Sequence, residues 1–170
     1  LLNLQNLSGN AQPSLLTSIQ LQDWLRQIVA PFQERSLHYQ QSFSIEISPG
    51  LPRSICESAC LGRVLTELLH NACKYTPAVG KIVVKAETFD LTSPKTIQIS
   101  VSNSGVEIPS NELPRIFEKF YRQAHDIWHQ GGTGLGLALV QQLVTRLSGK
   151  IFVESSALQT CFIVELPLKN

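Results

Sequence analysis

The chain has 170 residues, of which 43% are hydrophobic and 16% charged, and its formal net charge is +1. This length suffices for the core of one ordinary domain, and the near-neutral charge excludes a basic nucleic-acid surface or an acidic disordered tail. No apolar run reaches the ~18–20 residues that cross a bilayer, and residues 1–10 lack the pattern of a secretory signal. We therefore expect a cytoplasmic domain that binds no nucleic acid. A membrane anchor elsewhere in a longer protein stays open.

The first part of the chain predicts a short lead-in and then a helix. Residues 1–20 are rich in Leu, Asn and Ser and contain the breakers Gly9 and Pro13, which indicates the end of a helical hairpin followed by a linker. Residues 21–37 have a helical apolar period that Pro31 interrupts. We therefore place the domain proper at residues 21–170.

The remaining pattern predicts a second helix, paired strands, a long loop and a closing hairpin. Residues 58–75 form the clearest amphipathic helix, which Thr76-Pro77 ends. Further helices are predicted at 113–121 and 134–147, and strands at 42–47, 81–87, 96–102, 150–154 and 161–166. Strands outnumber helices and follow one another through short links. This order predicts an α+β fold, a two-layer sandwich with a mixed, largely antiparallel sheet and helices on one face.

The segment Glu67–Pro77 carries the first candidate site residues. Helical spacing places Glu67, Asn71 and Lys74 on one face, opposite the apolar stripe. An acid, an amide oxygen and an ammonium group on one edge suit a hydrated divalent metal and the phosphates that it bridges. Taken alone, the same pattern is typical of an ordinary solvated helix face.

Two later segments contribute a turn and a glycine-rich loop. Asn103 and Gly105 follow a predicted strand, where a glycine lets the backbone turn beneath a planar ligand, although a simple turn fits equally well. Gly131–Leu137 runs directly into a helix, and its amides suit phosphate. It is neither a Walker loop nor a dinucleotide fingerprint, because no Lys-Ser/Thr follows and no strand precedes it.

Together these segments resemble the catalytic domain of sensor histidine kinases, within the ATPase superfamily of the Bergerat fold. ELLHNACKYTP (67–77) is similar to the family's N box, IFEKFYR (116–122) to its F box and GGTGLGLALVQQL (131–143) to its G2 box. The ending Thr160–Pro167 resembles the family's closing strand, and the likeness covers roughly residues 20–168.

The resemblance implies ATP and Mg²⁺ as ligands and a role for each matched residue. Asn71 would ligate Mg²⁺, with Glu67 holding a metal-bound water or assisting transfer, and Lys74 would neutralise phosphate charge. Phe117 and Phe120 would anchor a lid, and Lys119 or Arg122 would reach the phosphates as it closes. The nucleotide pocket would further include Tyr75, Asn103, Gly105, Ile108, Gly132, Thr133, Gly134, Leu135, Gly136, Leu137 and Thr160.

The G1 box of the family, Asp-x-Gly-x-Gly, reads Asn103-Ser104-Gly105-Val106-Glu107 here. Asn103 can still accept a hydrogen bond from an adenine amino group, but as a neutral acceptor it binds more weakly, by about 1 kcal/mol. If the position of Glu107 required a positive φ, a glutamate there would cost about 1 kcal/mol in strain. Weakened nucleotide binding follows as an expectation.

Three functions remain open. The first is a histidine kinase domain that passes the γ-phosphoryl group of ATP to a histidine on a dimerisation hairpin of the same protein and signals to a response regulator. The second is a nucleotide-sensing pseudokinase, and the third a serine-directed kinase of the anti-sigma type. None of the four histidines, His38, His70, His125 and His129, has the sequence context of a phosphate acceptor.

We expect residues 1–170 to be monomeric and a longer parent to be a homodimer. The four cysteines are interpreted as small buried thiols rather than a metal site.

Overall fold

The computed structural model of the chain describes residues 15–90, 92, 94–119, 121 and 136–169. Within these ranges, no helix is both long and apolar enough to cross a membrane. The helices are α1 (Leu21–His38), α2 (Ser58–Tyr75) and α3 (Gly136–Arg146). The strands are β1 (Thr17–Gln20), β2 (Ser42–Ile47), β3 (Arg53–Cys56), β4 (Lys81–Glu87), β5 (Thr96–Asn103), β6 (Lys150–Ser155) and β7 (Thr160–Pro167).

Five strands form the main sheet in the order β2-β4-β5-β7-β6. β2 runs parallel to β4, and every other neighbouring pair is antiparallel. Successive side chains point to opposite faces, so each strand presents one apolar and one more polar row. The inner face consists of buried apolar side chains, including Ile82, Val84, Ile99, Val101, Phe162 and Val164. The outer face carries polar and charged residues such as Lys85, Gln98 and Glu165, which are half-buried or exposed.

The three helices cover the inner face, with α2 in contact with both α1 and α3. Gly62 of α2 faces α1, where a Cβ would meet Ile28 and Trp24 at ordinary contact distances of 3.6 and 3.7 Å. The apolar stripe of α2 is almost completely buried, and each of its leucines contributes about 1.5–3 kcal/mol through removal from water. Its members are Leu61, Val64, Leu65, Leu68 and Leu69. One core therefore holds the face of α2 that points away from the candidate site.

The predicted α+β sandwich, with a largely antiparallel sheet and helices on one face, is confirmed. The predicted bounds of α2, β2 and β4 are correct to the residue. The helical period predicted over residues 21–37 corresponds to α1, which continues through Pro31 to His38 without interruption. A proline inside a helix removes one backbone hydrogen bond, and here the packing of α1 against α2 and β2 outweighs that loss. The helix expected at 113–121 is only a 3₁₀ turn, Leu113–Arg115, followed by further turns.

A two-stranded antiparallel ribbon of β1 and β3 was not predicted. β1 lies in the region interpreted as a linker, and the amide of Ile55 in β3 also donates to the carbonyl of Lys169 near the end of the chain. The ribbon thus joins residues 17–20 to the folded domain. The domain boundary proposed at residue 21 stays a prediction.

Candidate functional site

The carboxyl-terminal half of α2 presents the predicted polar face. Glu67, Asn71, Lys74 and Tyr75 are all half-buried, whereas the apolar stripe on the opposite side is buried in the core. The Glu67 carboxylate pairs through Oε1 with Arg63 one turn earlier, at 2.9 Å. The ammonium of Lys74 lies 5.0 Å from the ring centre of Tyr75, within the range of a cation–π contact. The helix therefore carries oxygen atoms that can bind a metal, and a cationic side chain, along one accessible edge.

The end of α2 is held by side chains as well as by its own backbone. Thr76 has extended dihedrals, as expected of a residue before proline, and its Oγ1 donates to the carbonyl of Ala72 at 2.6 Å. Gln41, which is buried just before β2, donates from Nε2 to the carbonyls of Cys73 and Thr76 at 3.0 and 2.7 Å. These bonds satisfy carbonyls that a helix end leaves unpaired. They fix the last turn of α2, which carries Lys74 and Tyr75.

Asn103 is the last residue of β5 and lies on the inner face, paired across the sheet with Ile82 and Thr160. It is 7% exposed, and its Nδ2 donates to the carbonyl of Ser104 at 3.2 Å. This bond orients the amide, because the flipped amide would set two oxygens against each other. Oδ1 is therefore left as a hydrogen-bond acceptor.

The loop after β5 turns against the end of α2. Gly105 has a φ of +131°, and a Cβ there would lie 2.8 Å from the carbonyl oxygen of Tyr75. Only glycine meets both requirements without strain or a clash. The condition under which Glu107 would be strained is not met, because Glu107 is exposed and is not among the described residues with a positive φ. The glutamate therefore carries no backbone strain.

The second half of this loop is bound to the β6–β7 hairpin. The amide of Ile108 donates to Oγ of Ser155 at 2.8 Å, and the Oγ atoms of Ser155 and Thr160 lie 2.6 Å apart. Oγ1 of Thr160 in turn donates to the carbonyl of Val106 at 3.3 Å. Thr160 and Ile108 were predicted at the site, but Ser155 was not. Its signal in the sequence is only a hydroxyl at a strand end, and its partners depend on the register of the hairpin.

The beginning of α3 meets α2 at Glu67. A Cβ at Gly136 would lie 2.6 Å from Oε2 of Glu67, so this glycine brings the backbone of α3 directly against the carboxylate. Leu137 follows and is half-buried. Further residues predicted at the site lie outside the described ranges: Phe120, Arg122, Gly132, Thr133, Gly134 and Leu135. Of the F box, Phe117 packs edge-on against Phe162 with ring centres 6.3 Å apart, and Lys119 is exposed.

The structure thus brings three segments that are distant in sequence together along one helix. Gly136 approaches α2 at Glu67, and Gly105 approaches it two turns later at Tyr75. His70 is the neighbour of Asn71 in sequence but faces α1, where Nδ1 lies 3.2 Å from Arg35 and the ring packs against Phe32. The carboxylate of Glu67 and the amide oxygen of Asn71 belong to the hard oxygen ligands that Mg²⁺ prefers, so the donor set fits that ion.

The chain belongs to the family of histidine kinase-, DNA gyrase B- and HSP90-like ATPases, which matches residues 57–170. Among its relatives, the sensor histidine kinase CusS of Escherichia coli strain K12 is 40% identical over 108 residues, which are 63% of this chain and 22% of CusS. The chain therefore spans less than a quarter of the length of that relative.

Solved structures of histidine kinases share the fold. The nucleotide-free catalytic domain of histidine kinase ThkA superposes with a TM-score of 0.78 at 27% identity, covering 92% of this chain and 99% of that domain. Full-length ShkA in complex with AMPPNP superposes with a TM-score of 0.83 at 25% identity, covering 98% of this chain and 34% of ShkA. These matches confirm the resemblance to sensor histidine kinase catalytic domains that the motifs predicted.

Proposed function

We propose that the chain binds Mg·ATP between α2, the loop 103–108 and the start of α3, and passes the γ-phosphoryl group to a histidine of a two-component sensor kinase. The proposal rests above all on the close approach of Gly136 to the carboxylate of Glu67, because this contact places the candidate phosphate loop next to the candidate metal ligands. Family membership and the AMPPNP complex of ShkA support a nucleotide as the ligand.

On the base side, Asn103 would accept a hydrogen bond from the adenine amino group. Among the described residues, no donor binds its Oδ1, and its Nδ2 is already bound to Ser104, so the neutral residue offers an acceptor in the manner of an aspartate. Tyr75, Gly105, Ile108 and Thr160 would complete this end of the pocket. Thr160 pairs with Asn103 across the sheet, and both Thr160 and Ile108 are buried.

On the phosphate side, Asn71 would hold Mg²⁺ through its amide oxygen, with Glu67 binding a metal-bound water. Bound there, Mg²⁺ would supply positive charge against the phosphate oxygens. Lys74 would add charge of the same sign, and the amides of residues 132–137 would cradle the phosphates. Phe120, Arg122, Gly132, Thr133, Gly134, Leu135, Gly136 and Leu137 are assigned to the lid and to this cradle from the resemblance.

The reaction requires positioning more than covalent chemistry by the protein. The nitrogen of the acceptor imidazole would form a bond to the γ-phosphorus while the bond to the β,γ-bridging oxygen breaks, and ADP would leave with the electron pair. The residues named above would align the phosphates and neutralise charge that spreads over their oxygens. A carboxylate at Glu67 could also take the proton that the imidazole loses.

The acceptor histidine is proposed to lie on a dimerisation hairpin of the same protein, outside residues 1–170. ThkA has been solved in complex with the response regulator protein TrrA, which supports a response regulator as a partner here too. We also propose that the chain is monomeric on its own, that the parent is a homodimer, and that the domain works in the cytoplasm.

A binding module without turnover is the chief alternative, since two residues of the G1 box differ from the family. Two observations support intact nucleotide binding, which the kinase requires. Glu107 is exposed and has no positive φ, and Asn103 keeps an oriented acceptor. The intact residues Glu67 and Asn71 would have no use in a module that needs no metal.

The direct test is calorimetric titration of the chain with AMPPNP and with ADP, each with and without Mg²⁺. We expect binding in the micromolar to sub-millimolar range, and Asn71→Ala should lose the Mg²⁺-dependent part without a change in the unfolding temperature. The matched control is Gln98→Ala, which removes an amide from the outer face of the sheet. Absence of binding by the unsubstituted chain would contradict nucleotide binding. Normal phosphotransfer by Asn71→Ala in the full-length protein would contradict the metal assignment.

A further inference from the structure

Ser155 ends β6 and lies beneath the loop 104–109, and the proposed function described above gives this residue no part. It faces Thr160 across the β6–β7 hairpin, as the register of the two strands requires. Its hydroxyl contacts both Thr160 and the amide of Ile108, at 2.6 and 2.8 Å. One half-buried hydroxyl thus connects the hairpin to the loop that follows Asn103.

The direction of each hydrogen bond in this group follows from counting protons. Thr160 has one hydroxyl proton, which it can donate to the carbonyl of Val106 at 3.3 Å or to Ser155 at 2.6 Å. We assign Ser155 as the donor to Thr160 because only this direction gives both hydroxyl protons an acceptor, while a lone pair of Ser155 accepts from the amide of Ile108. The amide of Ile108 thus donates to Ser155, Ser155 donates to Thr160, and Thr160 donates to the carbonyl of Val106. It leaves Thr160 with a lone pair as its remaining hydrogen-bonding capacity.

The two halves of the loop are fixed by different parts of the fold. The first half is held by α2 and β4, since Gly105 packs on the carbonyl of Tyr75 and Ser104 exchanges hydrogen bonds with Lys81. The second half, residues 106–108, is bound to the hairpin through Thr160 and Ser155. Removal of the Ser155 hydroxyl would free the amide of Ile108 and loosen Thr160 together.

We propose that Ser155 is a positioning residue for nucleotide binding: its hydroxyl fixes residues 106–108 and turns Thr160 into an acceptor towards the ligand. The inference rests on the proposed function, because it assigns to Ser155 the ordering of one wall of the same pocket. Ser155 itself touches no ligand. An ordered loop binds more tightly because its freedom is already lost before the ligand arrives.

The experiment compares Ser155→Ala with Ser156→Ala in the 170-residue chain. Ser156 is the next hydroxyl along, and among the described residues it bonds only within the hairpin turn, to Leu158 and Gln159. We expect Ser155→Ala to bind Mg·AMPPNP and ADP about 5- to 20-fold more weakly, the loss that one or two hydrogen bonds correspond to. Ser156→Ala should bind as the unsubstituted chain does. Ser155→Thr, which keeps the hydroxyl, should restore affinity to within about twofold.

A second measurement reports on the loop without a ligand. Amide hydrogen exchange of Ile108 in the nucleotide-free chain should be at least about tenfold faster in Ser155→Ala and unchanged in Ser156→Ala. If Ser155→Ala proves poorly folded, Ser155→Cys serves instead, since a thiol keeps the shape but forms weaker hydrogen bonds. Unchanged exchange at Ile108 overturns the positioning role.

The outcomes separate this inference from the proposed function. If the unsubstituted chain binds nucleotide and Ser155→Ala binds equally well, the role of Ser155 is wrong while the proposed function stands. Equal weakening by Ser155→Ala and Ser156→Ala also overturns it, because the effect would then be a general loosening of the hairpin. If the unsubstituted chain binds no nucleotide, both proposals fall.

Discussion

The carboxylate of Glu67 lies so close to Gly136 that a Cβ added to this glycine would stand 2.6 Å from Oε2. Glu67 belongs to α2 and Gly136 begins α3, so the contact joins two segments nearly seventy positions apart in the chain. Oε1 of the same carboxylate is engaged by Arg63 at 2.9 Å. The carboxylate is thus confined between a cation and a backbone, and its position is sensitive to any atom added at Gly136.

Gly136→Ala is expected to impair function and leave stability nearly unchanged. The new methyl group would displace the Glu67 carboxylate, which ends a flexible side chain and can move at small cost. The free energy of unfolding should therefore change by less than about 1 kcal/mol. Phosphotransfer in the full-length protein should fall by about tenfold or more, since small misplacements of catalytic groups have large effects on rate. The measurements are a urea unfolding curve and a phosphotransfer assay.

Gly62→Ala is the matched control for that substitution. It also adds a methyl group to a helix, but the Cβ would meet Ile28 and Trp24 at ordinary contact distances of 3.6 and 3.7 Å. We expect stabilisation of up to about 1 kcal/mol from helix propensity and full phosphotransfer. If Gly136→Ala were also fully active, the position of Glu67 would not matter for phosphotransfer.

A second pair of glycines separates backbone strain from steric conflict. Gly50 has a φ of +76° and open space around its Cβ position, whereas Gly105 has a φ of +131° and the carbonyl of Tyr75 at 2.8 Å. Gly50→Ala should cost about 1 kcal/mol of unfolding free energy, the strain of the positive φ alone. Gly105→Ala should cost more, about 2–3 kcal/mol, because the loop must also move away from α2.

The substitutions Gly50→Ala and Gly105→Ala also test whether the loop after β5 takes part in nucleotide binding. Nucleotide affinity, measured by calorimetry under conditions where both variants are folded, should fall in Gly105→Ala and stay unchanged in Gly50→Ala. Equal stability losses in the two variants would mean that the approach of Gly105 to Tyr75 carries no energetic weight. An unchanged affinity in Gly105→Ala would place the nucleotide away from this loop.

The sequence predicted best those elements whose signals are local. α2 has a continuous apolar stripe and ends before Pro77, and both of its bounds follow from these features alone. β1 and β3 are only four residues long, TSIQ and RSIC, and are stabilised by pairing with each other across more than thirty residues. No local pattern predicts such a pairing. The continuation of α1 through Pro31 likewise depends on packing that the sequence does not display.

For the candidate site, sequence motifs predicted residue types but not contacts. The resemblance singled out Glu67, Gly136 and Thr160, yet the approach of Gly136 to Glu67 follows from the packing of α3 on α2. Ser155 and Gln41 escaped prediction because their roles arise from hydrogen bonds to distant backbone groups. An isolated Ser or Gln has no sequence signal for such a bond.

Gln41 provides a further prediction about the end of α2. It is 6% exposed and donates to two carbonyls, of Cys73 and Thr76. Gln41→Leu would leave both carbonyls buried and unpaired, so we expect a loss of about 2–3 kcal/mol in a urea unfolding experiment. Gln27→Leu, at an exposed position of α1, should change stability by less than about 0.5 kcal/mol. Similar small effects of both would show that water replaces the amide of Gln41.

The thiol of Cys73 lies one residue before Lys74 and is 6% exposed. Burial raises its pKa above the ordinary value, while the hydroxyl of Ser36 and the charge of Arg35 act in the opposite direction. The folded state therefore holds the thiol proton more tightly than the unfolded state does. The stability linked to this proton is fully present below the unfolded pKa, about 8.5, and is lost as the pH rises through the higher folded pKa.

In Cys73→Ala, the free energy of unfolding should consequently decrease less as the pH rises into the alkaline range. The expected result is a smaller difference in unfolding free energy between pH 8 and pH 10 in the variant than in the unsubstituted chain, measured by urea unfolding at both values. The comparison of slopes cancels the constant loss from the missing sulfur atom, and it also cancels the ionisation of lysines and tyrosines common to both proteins. Parallel curves would mean that the thiol ionises as readily in the folded chain as in the unfolded one, contrary to its burial against α1.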